Sequence, residues 1–327
     1  MRFGIIPSEG GQRFADALAE AELAEELGFD SVWLEEHHGV RDHYWPSPLL
    51  VLAAMAARTS RVMLGTDVVV LPFYAPVRLA EDAAVLQGIS GGRFILGVAS
   101  GYRPDEFALH DASLTGRGGR LQEALGLIRA LWAGEDVDHR GPAYRAVGRI
   151  EPLPVPPPPI WLGGWGPLAL QRAATLADAW VPGPTADLAR LVTLRRDYDA
   201  ALVAAGRDPG VVRRPLTREV VIAPTDRAAW EIAERHLLVN YRDEYGGGWS
   251  HPLVGAADAT PTDRLDALAA GRFIVGSPAT CVSIIREIID AFAPDELICR
   301  LFFPGLPHET LVSELRLLAS DVLPAFR

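Results

Sequence analysis

Short apolar segments alternate with helical segments about eight times along this chain of 327 residues. The segment 61–72 is β-branched and almost wholly apolar, which is typical of a strand covered on both faces. This alternation favours a closed eight-stranded parallel (β/α)8 TIM barrel, built as one domain over residues 1–327. The other strands are predicted at 2–7, 31–34, 93–100, 160–162, 179–181, 219–223 and 297–303.

A doubly wound open sheet is the structural alternative. Such a sheet usually carries a GxGxxG fingerprint directly after an early strand, and the chain has none. Two stretches interrupt the alternation. Residues 135–159 are charged and then proline-rich, which predicts an extended excursion after strand four. Residues 246–271 are glycine-rich and predict a long loop after strand seven, a candidate lid.

Charge and composition narrow the class of protein. The formal net charge is -11, and nucleic acids and anionic membranes are bound through basic stripes, so neither is an expected partner. Cys281 and Cys299 cannot build a disulfide framework. No segment approaches the ~20 unbroken apolar residues of a membrane span. The first residues also lack the pattern of a signal peptide, so we expect a cytoplasmic protein.

Polar residues cluster directly after the second predicted strand. The apolar run stops at Glu35, Glu36, His37 and His38. Unpaired charge is disfavoured in a core, so these residues suit a strand end that opens onto a pocket. Three interpretations stay open: groups bonded to backbone, a metal site, and a histidine acting as acid or base beside an orienting carboxylate. A metal site needs three or four converging ligands, whereas adjacent side chains on a strand point to opposite faces. The metal site is therefore the least favoured of the three, and we expect no metal.

A glycine-rich turn follows strand five and precedes a helix opened by Pro167. Its residues are Gly163, Gly164, Trp165 and Gly166. Glycines leave backbone N–H groups unshielded at the helix N-terminus, an arrangement that holds a phosphate. A tight turn without a ligand would give the same pattern. Arg103, in the loop after strand four, could add a guanidinium to the same anion.

Other polar and aromatic residues fall near strand ends, which a barrel brings together at one face. Asp67 lies inside an apolar strand, so its carboxylate is either capped by neighbouring N–H groups or kept for function. Aromatic residues in loops suit a planar ring or an apolar substrate. These aromatic residues are Tyr44, Trp45, Tyr102, Trp165 and Trp249.

Several longer motifs resemble those of the bacterial luciferase-like flavin monooxygenases. They are LEEHH at 34–38, VLPFYAPVRLAED at 70–82, LQGISGGRFILGVASGYRPDEF at 86–107, VGSPATCVSIIREII at 275–289 and SDVLP at 320–324. The motifs occur in family order over nearly the whole chain. The resemblance implies a (β/α)8 barrel with a flavin at the strand C-termini, and commonly a homodimer. In this family reduced FMN and oxygen oxidise an organic substrate, while one branch moves hydride with a deazaflavin coenzyme.

The resemblance also implies roles for individual residues. His37 resembles the family's active-site histidine, and Glu36 resembles the carboxylate before it. Val68 would lie against the isoalloxazine ring, and the Asp67–Val68 bond resembles one that is often cis in the family. Three further parts of the chain would hold the phosphate and the ring edge: Ser100, Tyr102 and the turn Gly163–Gly166.

Two departures from luciferase change these expectations. Its light-emitting subunit has a reactive cysteine at the position of Ala99 and an arginine at that of Ser100. The same luciferase subunit also has a Glu-Ser pair at the positions of Trp165 and Gly166. Light emission is therefore not expected, and the phosphate would be held by Arg103 or by backbone.

We therefore expect a monooxygenase that uses reduced FMN and oxygen on a small, apolar organic substrate. No nicotinamide fingerprint is present, so a separate flavin reductase would supply the reduced flavin. A deazaflavin-dependent oxidoreductase is the first alternative. The second is a non-catalytic partner subunit, against which the retention of Glu36, His37 and the glycine turn argues.

Overall fold

The computed structural model of the chain describes residues 1–245 and 268–327. Of the predicted loop 246–271, all but the last few residues lie outside the described part. Within the described residues, no helix is both long and apolar enough to cross a membrane.

Strands of this chain form one mainly parallel sheet and a separate hairpin. The strands are β1 (Arg2–Ile6), β2 (Ser31–Leu34), β3 (Met63–Thr66), β4 (Val69–Val70), β5 (Phe94–Ala99), β6 (Val137–Arg140), β7 (Arg145–Gly148), β8 (Ile160–Gly163), β9 (Ala179–Val181), β10 (Pro215–Ile222), β11 (Ile274–Gly276) and β12 (Glu296–Arg300). The sheet order is β11-β10-β12-β1-β2-β3-β5-β8-β9, and β4 pairs with β5. A parallel bridge between Ala179 and Arg213 joins the β9 side to the chain just before β10. The sheet thus curls into a TIM-barrel-like α/β fold, as predicted.

Helices follow the strands and cover the outside of the sheet. They are α1 (Phe14–Leu27), α2 (Pro48–Ala56), α3 (Pro76–Ser90), α4 (Pro104–Leu109), α5 (Arg117–Trp132), α6 (Pro167–Leu176), α7 (Leu188–Ala204), α8 (Asp226–Arg235), α9 (Leu237–Tyr245), α10 (Pro278–Phe292) and α11 (His308–Leu317). Proline in the first turn opens α2, α3, α4, α6 and α10, where its missing N–H costs no hydrogen bond. Gly28 ends α1 with a left-handed φ of 88°.

Three of the predicted strands differ from the structure by more than one residue at a boundary. The apolar stretch 61–72 divides into β3 and β4, because apolar composition alone does not mark where a ladder stops. β10 begins earlier than residue 219, and its polar residues Thr217, Arg218 and Glu219 are buried. β12 ends at Arg300, and the apolar residues 301–303 continue as a buried loop. The three-residue strand β11 was not predicted; it pairs with the last residues of β10 at one end of the sheet order.

The predicted excursion follows the fourth strand and its helix. β6 and β7 form an antiparallel hairpin there, and the proline-rich residues 149–159 return to β8 without regular structure. The barrel interior is packed with large side chains. Trp33 and Trp161 stack with ring centroids 4.7 Å apart. A Cβ on Gly65 would lie 2.1 Å from the Trp33 ring, so only glycine fits beside it. The interior is therefore filled below the mouth of the barrel.

Candidate active site

A cavity of about 580 Å³ opens at the C-terminal ends of the parallel strands. Its lining comes from the segments that follow β2, β3, β5, β8, β9 and β12, so distant parts of the sequence meet there. Because parallel strands present their carboxyl ends at one face, the fold alone determines this convergence.

Most of the predicted site residues line this one cavity. They are Glu36, His37, Asp67, Val68, Ser100, Tyr102, Gly163, Gly164, Trp165 and Gly166. The histidine after β2 and the glycine turn after β8 therefore face the same space. Arg103 is the exception, since it is absent from the lining and its guanidinium pairs with Asp105 and Glu106.

His37 is held by a carboxylate that lies far away in sequence. Its Nδ1 lies 2.7 Å from Oε1 of Glu106, which is on α4. The same oxygen accepts the backbone N–H of His38 and lies 3.5 Å from Nη1 of Arg103. Burial would raise the pKa of Glu106, but the His37 ring, the His38 N–H and Arg103 together lower it. The Nε2 of His37 has no hydrogen-bond partner among the described residues and is available to a ligand.

Glu36 serves a different histidine. Its Oε1 contacts Nε2 of His38 at 2.8 Å and accepts the hydroxyl of Tyr74 at 3.0 Å. Its Oε2 accepts the backbone N–H of Val70 at 2.7 Å. The carboxylate thus fixes β4 against the end of β2. The carboxylate that orients His37 is Glu106. The sequence did not predict this role, because the only signal for it was the position of Glu106 within the motif YRPDEF at 102–107.

Asp67 lies between β3 and β4, and its peptide bond to Val68 is cis, as the resemblance implied. Its carboxyl group accepts the hydroxyl of Thr217 from β10, across the barrel mouth. Burial raises the pKa of Asp67 to about 7, despite the hydrogen bond from Thr217. The side chain therefore changes its protonation state near neutral pH.

Two helix N-termini point into the cavity. The turn before α6 is one, and a Cβ on Gly164 (φ 143°) would lie 2.7 Å from Ala169. The second is the start of α5, whose residues Gly116, Arg117, Gly118 and Gly119 also line the cavity. Unshielded N–H groups and helix dipoles at both places favour an anion. The glycine run TGRGGR at 115–120 was the sequence signal for the second, and it was not recognised.

Two arginines accompany these helix N-termini. A Cβ on Gly118 would lie 2.7 Å from Nη1 of Arg172, so the glycine leaves room for that guanidinium. Arg172 lines the cavity, and its guanidinium has no hydrogen-bond or ion-pair partner among the described residues. Arg117 donates to the carbonyls of Gly101 and Leu114. The chain contains no lysine. Arg117 and Arg172 thus lie beside the anion site, where the sequence had predicted the guanidinium of Arg103.

A buried charge cluster lies on the opposite side of the mouth, around Arg300 at the end of β12. Its Nε lies 2.8 Å from Glu35 Oε2, and its Nη1 lies 3.6 Å from Glu219 Oε1. Its Nη2 donates to the hydroxyl of Tyr44 and contacts Nε2 of His43. Burial, and then the nearby Glu35, raise the pKa of Glu9 well above its ordinary value. Arg300 is 1% exposed, so its charge is balanced inside the protein by these neighbours.

The hydrogen-bond donors and the open space of the cavity fit a flavin that carries a phosphate. Glycines at 118, 163 and 164 leave a cradle that side chains would fill, and two helix N-termini with two guanidiniums suit a phosphate. Within residues 1–245 and 268–327, no group of three His, Cys, Asp or Glu side chains could hold a metal ion.

Comparison with known proteins gives a consistent result. Residues 1–294 match the family model of the luciferase-like monooxygenases. A relative from Microbacterium testaceum, named F420-dependent glucose-6-phosphate dehydrogenase, is 36% identical over 341 residues that span 100% of this chain and 98% of that protein. The oxygenase component of a flavin-dependent trigonelline monooxygenase from Acinetobacter baylyi is 33% identical over 48% of this chain and 44% of its own length.

The fold comparison covers the entire chain. The crystal structure of the monooxygenase RslO1 from Streptomyces bottropensis has a TM-score of 0.86 and 28% sequence identity, with 100% of both chains covered. Proteins named as F420-dependent dehydrogenases and proteins named as monooxygenases are therefore both among those that this chain resembles.

Proposed function

This chain belongs to the luciferase-like monooxygenase family, and from that premise we propose that it is a deazaflavin-dependent oxidoreductase. It would move a hydride between a small organic alcohol or carbonyl compound and coenzyme F420. The full-length similarity to a relative named for F420 and a dehydrogenase reaction supports this choice. FMN-dependent oxygenation, which the sequence favoured, becomes the second candidate.

One observation carries the proposal. The Nδ1 of His37 is bound by Glu106, while its Nε2 has no partner among the described residues, in the same cavity as the glycine turn. A histidine held in this way can take a proton from an alcohol or return one to a carbonyl group. This is the proton exchange that accompanies hydride transfer to or from carbon.

The coenzyme would be held at the side of the mouth formed by β5 and β8. The N–H groups at the starts of α5 and α6, with Arg117 and Arg172, would bind its phosphate. Val68, Ser100, Tyr102 and Trp165 would border its ring. Glycines at 163 and 164 would allow close approach.

When bound, the deazaflavin accepts or donates the hydride. His37 Nε2 takes the hydroxyl proton in alcohol oxidation, so the substrate loses a hydride and a proton and becomes a carbonyl compound. Glu106 keeps the ring oriented and stabilises its protonated form. Tyr44 and Tyr102 contact the His37 ring and help to exclude water from it.

A monooxygenase that uses reduced FMN and oxygen is the second candidate. The similarity to RslO1 favours this second candidate, since both the sequence identity of 28% and the TM-score of 0.86 extend over the whole of both chains. A separate flavin reductase would then be needed, as for the relative that is named as an oxygenase component. A non-catalytic partner subunit is the least supported function, because His37, its carboxylate and the anion site all line the cavity.

Titration of F420 and FMN against tryptophan fluorescence tests the proposal, because Trp165 lies in the cavity wall. We expect F420 to bind more tightly than FMN by about tenfold or more. Tighter binding of FMN, with oxygen uptake when reduced FMN is supplied, would favour the monooxygenase instead. Alcohol-dependent reduction of F420, followed by absorbance, then identifies the reaction.

A further inference from the structure

We propose that the His37 side of the cavity accepts an uncharged or cationic substrate and rejects phosphorylated or carboxylated ones. The inference rests on the proposed function, because it assigns the Arg117 and Arg172 side to the coenzyme. It separates this chain from the relative that is named for glucose 6-phosphate.

Acidic groups dominate the His37 side. Its ionisable carboxyl and guanidinium side chains after β2, β3 and β12, with α4, are four carboxyl groups and one guanidinium: Glu35, Glu36, Asp67, Glu106 and Arg300. A cavity with low-dielectric walls concentrates the field of such groups, so it attracts cations and repels anions. An anionic substrate would have to approach this excess of carboxyl groups, and the one guanidinium among them, Arg300, is already paired with Glu35 and Glu219.

The cations nearby are already used by the protein. Arg300 is buried and held by Glu35 and Glu219, and it donates to Tyr44. Arg103 pairs with Glu106 and Asp105, outside the cavity lining. Taking either guanidinium for a substrate phosphate would leave a buried carboxylate without its partner, which is strongly destabilising.

Aromatic rings complete this side of the cavity. The Tyr44 ring lies 4.4 Å from the His37 ring, and the Tyr102 ring lies 6.0 Å from it, both edge to face. His43 stacks on the Tyr44 ring and Arg300 lies over it, so Tyr102 is the ring that faces a substrate. A tyrosine face attracts cations and packs against apolar groups. Carboxyl groups beside aromatic rings therefore suit an alcohol, an amine or a quaternary ammonium compound.

The cavity is thus polarised across the barrel mouth. β12, β1, β2 and β3 are neighbours in the sheet, and Arg300, Glu35, Glu36 and Asp67 follow or end three of them. The helix α4 adds Glu106, while the two helix N-termini belong to α5 and α6, which precede and follow β8. Among the described residues, two arginines besides Arg300 line the cavity, Arg117 and Arg172. Both lie on the side of α5 and α6. Since the chain has no lysine, an anion on the substrate would compete with the coenzyme phosphate for Arg117 and Arg172.

Three probes of similar size test the inference: benzyltrimethylammonium, benzyl alcohol and benzoate. Binding is measured by calorimetry on the protein saturated with the flavin that it binds. We expect the cation and the alcohol to bind at least about tenfold more tightly than benzoate. Asp67→Asn and Glu35→Gln should narrow this gap, because each removes a carboxyl group from that side. Asp138→Asn, on the β6–β7 hairpin, should leave it unchanged.

Three outcomes would overturn the inference: benzoate binding as tightly as the other probes, failure of the cation and the alcohol to bind, or turnover of glucose 6-phosphate. Failure of the proposed function is seen separately, as tighter binding of FMN than of F420 in the flavin titration. The ranking of the three probes can hold in that case, because it depends on the side chains around His37.

Discussion

Oε1 of Glu106 lies 2.7 Å from Nδ1 of His37, although the two residues are 69 positions apart in the chain. The carboxylate next to His37 in sequence, Glu36, contacts His38 instead. Side chains at successive positions after a strand point in different directions, so a neighbour in sequence is a poor guide to a partner in space. α4 brings Glu106 to the histidine.

Glu106→Gln should lower kcat by about 10²-fold, because an amide cannot stabilise the protonated ring as a carboxylate does. F420 binding should change little, since the contacts of Glu106 are with His37, His38 and Arg103 rather than with the two helix N-termini. Steady-state kinetics with an alcohol substrate, beside a coenzyme titration, measures both quantities. Glu123→Gln is the matched control, because Glu123 pairs with His139 outside the cavity. Unchanged turnover in Glu106→Gln would remove its positioning role.

His37→Ala should reduce turnover by about 10²- to 10⁴-fold, the usual contribution of a general acid or base. Flavin affinity should stay within a few fold, because the phosphate is held elsewhere. His308→Ala is a control, since His308 contacts Glu20 and does not line the cavity. Equal turnover in wild type and His37→Ala would exclude His37 as the proton-transfer residue.

The sequence predicted the barrel because the alternation of strands and helices is a local pattern that repeats. It also predicted His37 and the glycine turn, because strand ends in a barrel share one face. Glu106, Arg172 and Arg300 could not be found in this way. Each reaches the cavity from a helix or strand whose orientation depends on packing between elements far apart in sequence. Arg103 was chosen for its loop position, which says nothing about the ion pair it makes.

Arg172→Ala should weaken coenzyme binding by about tenfold or more, because it removes a charge-assisted hydrogen bond to the phosphate. The salt dependence of binding should also fall, since one fewer cation is involved. Arg196→Ala, an exposed arginine on α7, provides the control. Titration at two ionic strengths measures both effects. Identical affinity in wild type and Arg172→Ala would place the phosphate elsewhere.

The free energy of unfolding should depend on the protonation of Asp67. Burial raises its pKa in the folded protein to about 7, whereas an unfolded aspartate titrates near 4. The ionised form is therefore less favourable in the folded state. The contribution of this group to stability is fully present below about pH 4 and is lost as the pH rises towards 7.

Asp67→Asn isolates this effect, because the amide keeps an acceptor for the Thr217 hydroxyl and does not titrate. The stability of wild type relative to the variant should fall between about pH 4 and pH 7, by up to a few kcal/mol. Urea unfolding of both proteins at several pH values, without coenzyme, measures the difference. A difference that does not change with pH would contradict the raised pKa.

Finally, we expect the chain to form a homodimer through α2 and α3. The two helices pack side by side and expose apolar side chains: Leu50 is 74% exposed, Val85 47% and Ile89 49%. Exposed apolar groups on two neighbouring helices favour association, because burying them removes apolar surface from water. Leu50→Glu together with Ile89→Glu should shift the protein to monomer in sedimentation velocity. Val211→Glu replaces an equally exposed residue (78%) before β10 and should leave the dimer intact. A wild-type monomer at micromolar concentration, or a dimer that survives both charges, would mean that this surface does not hold two copies together.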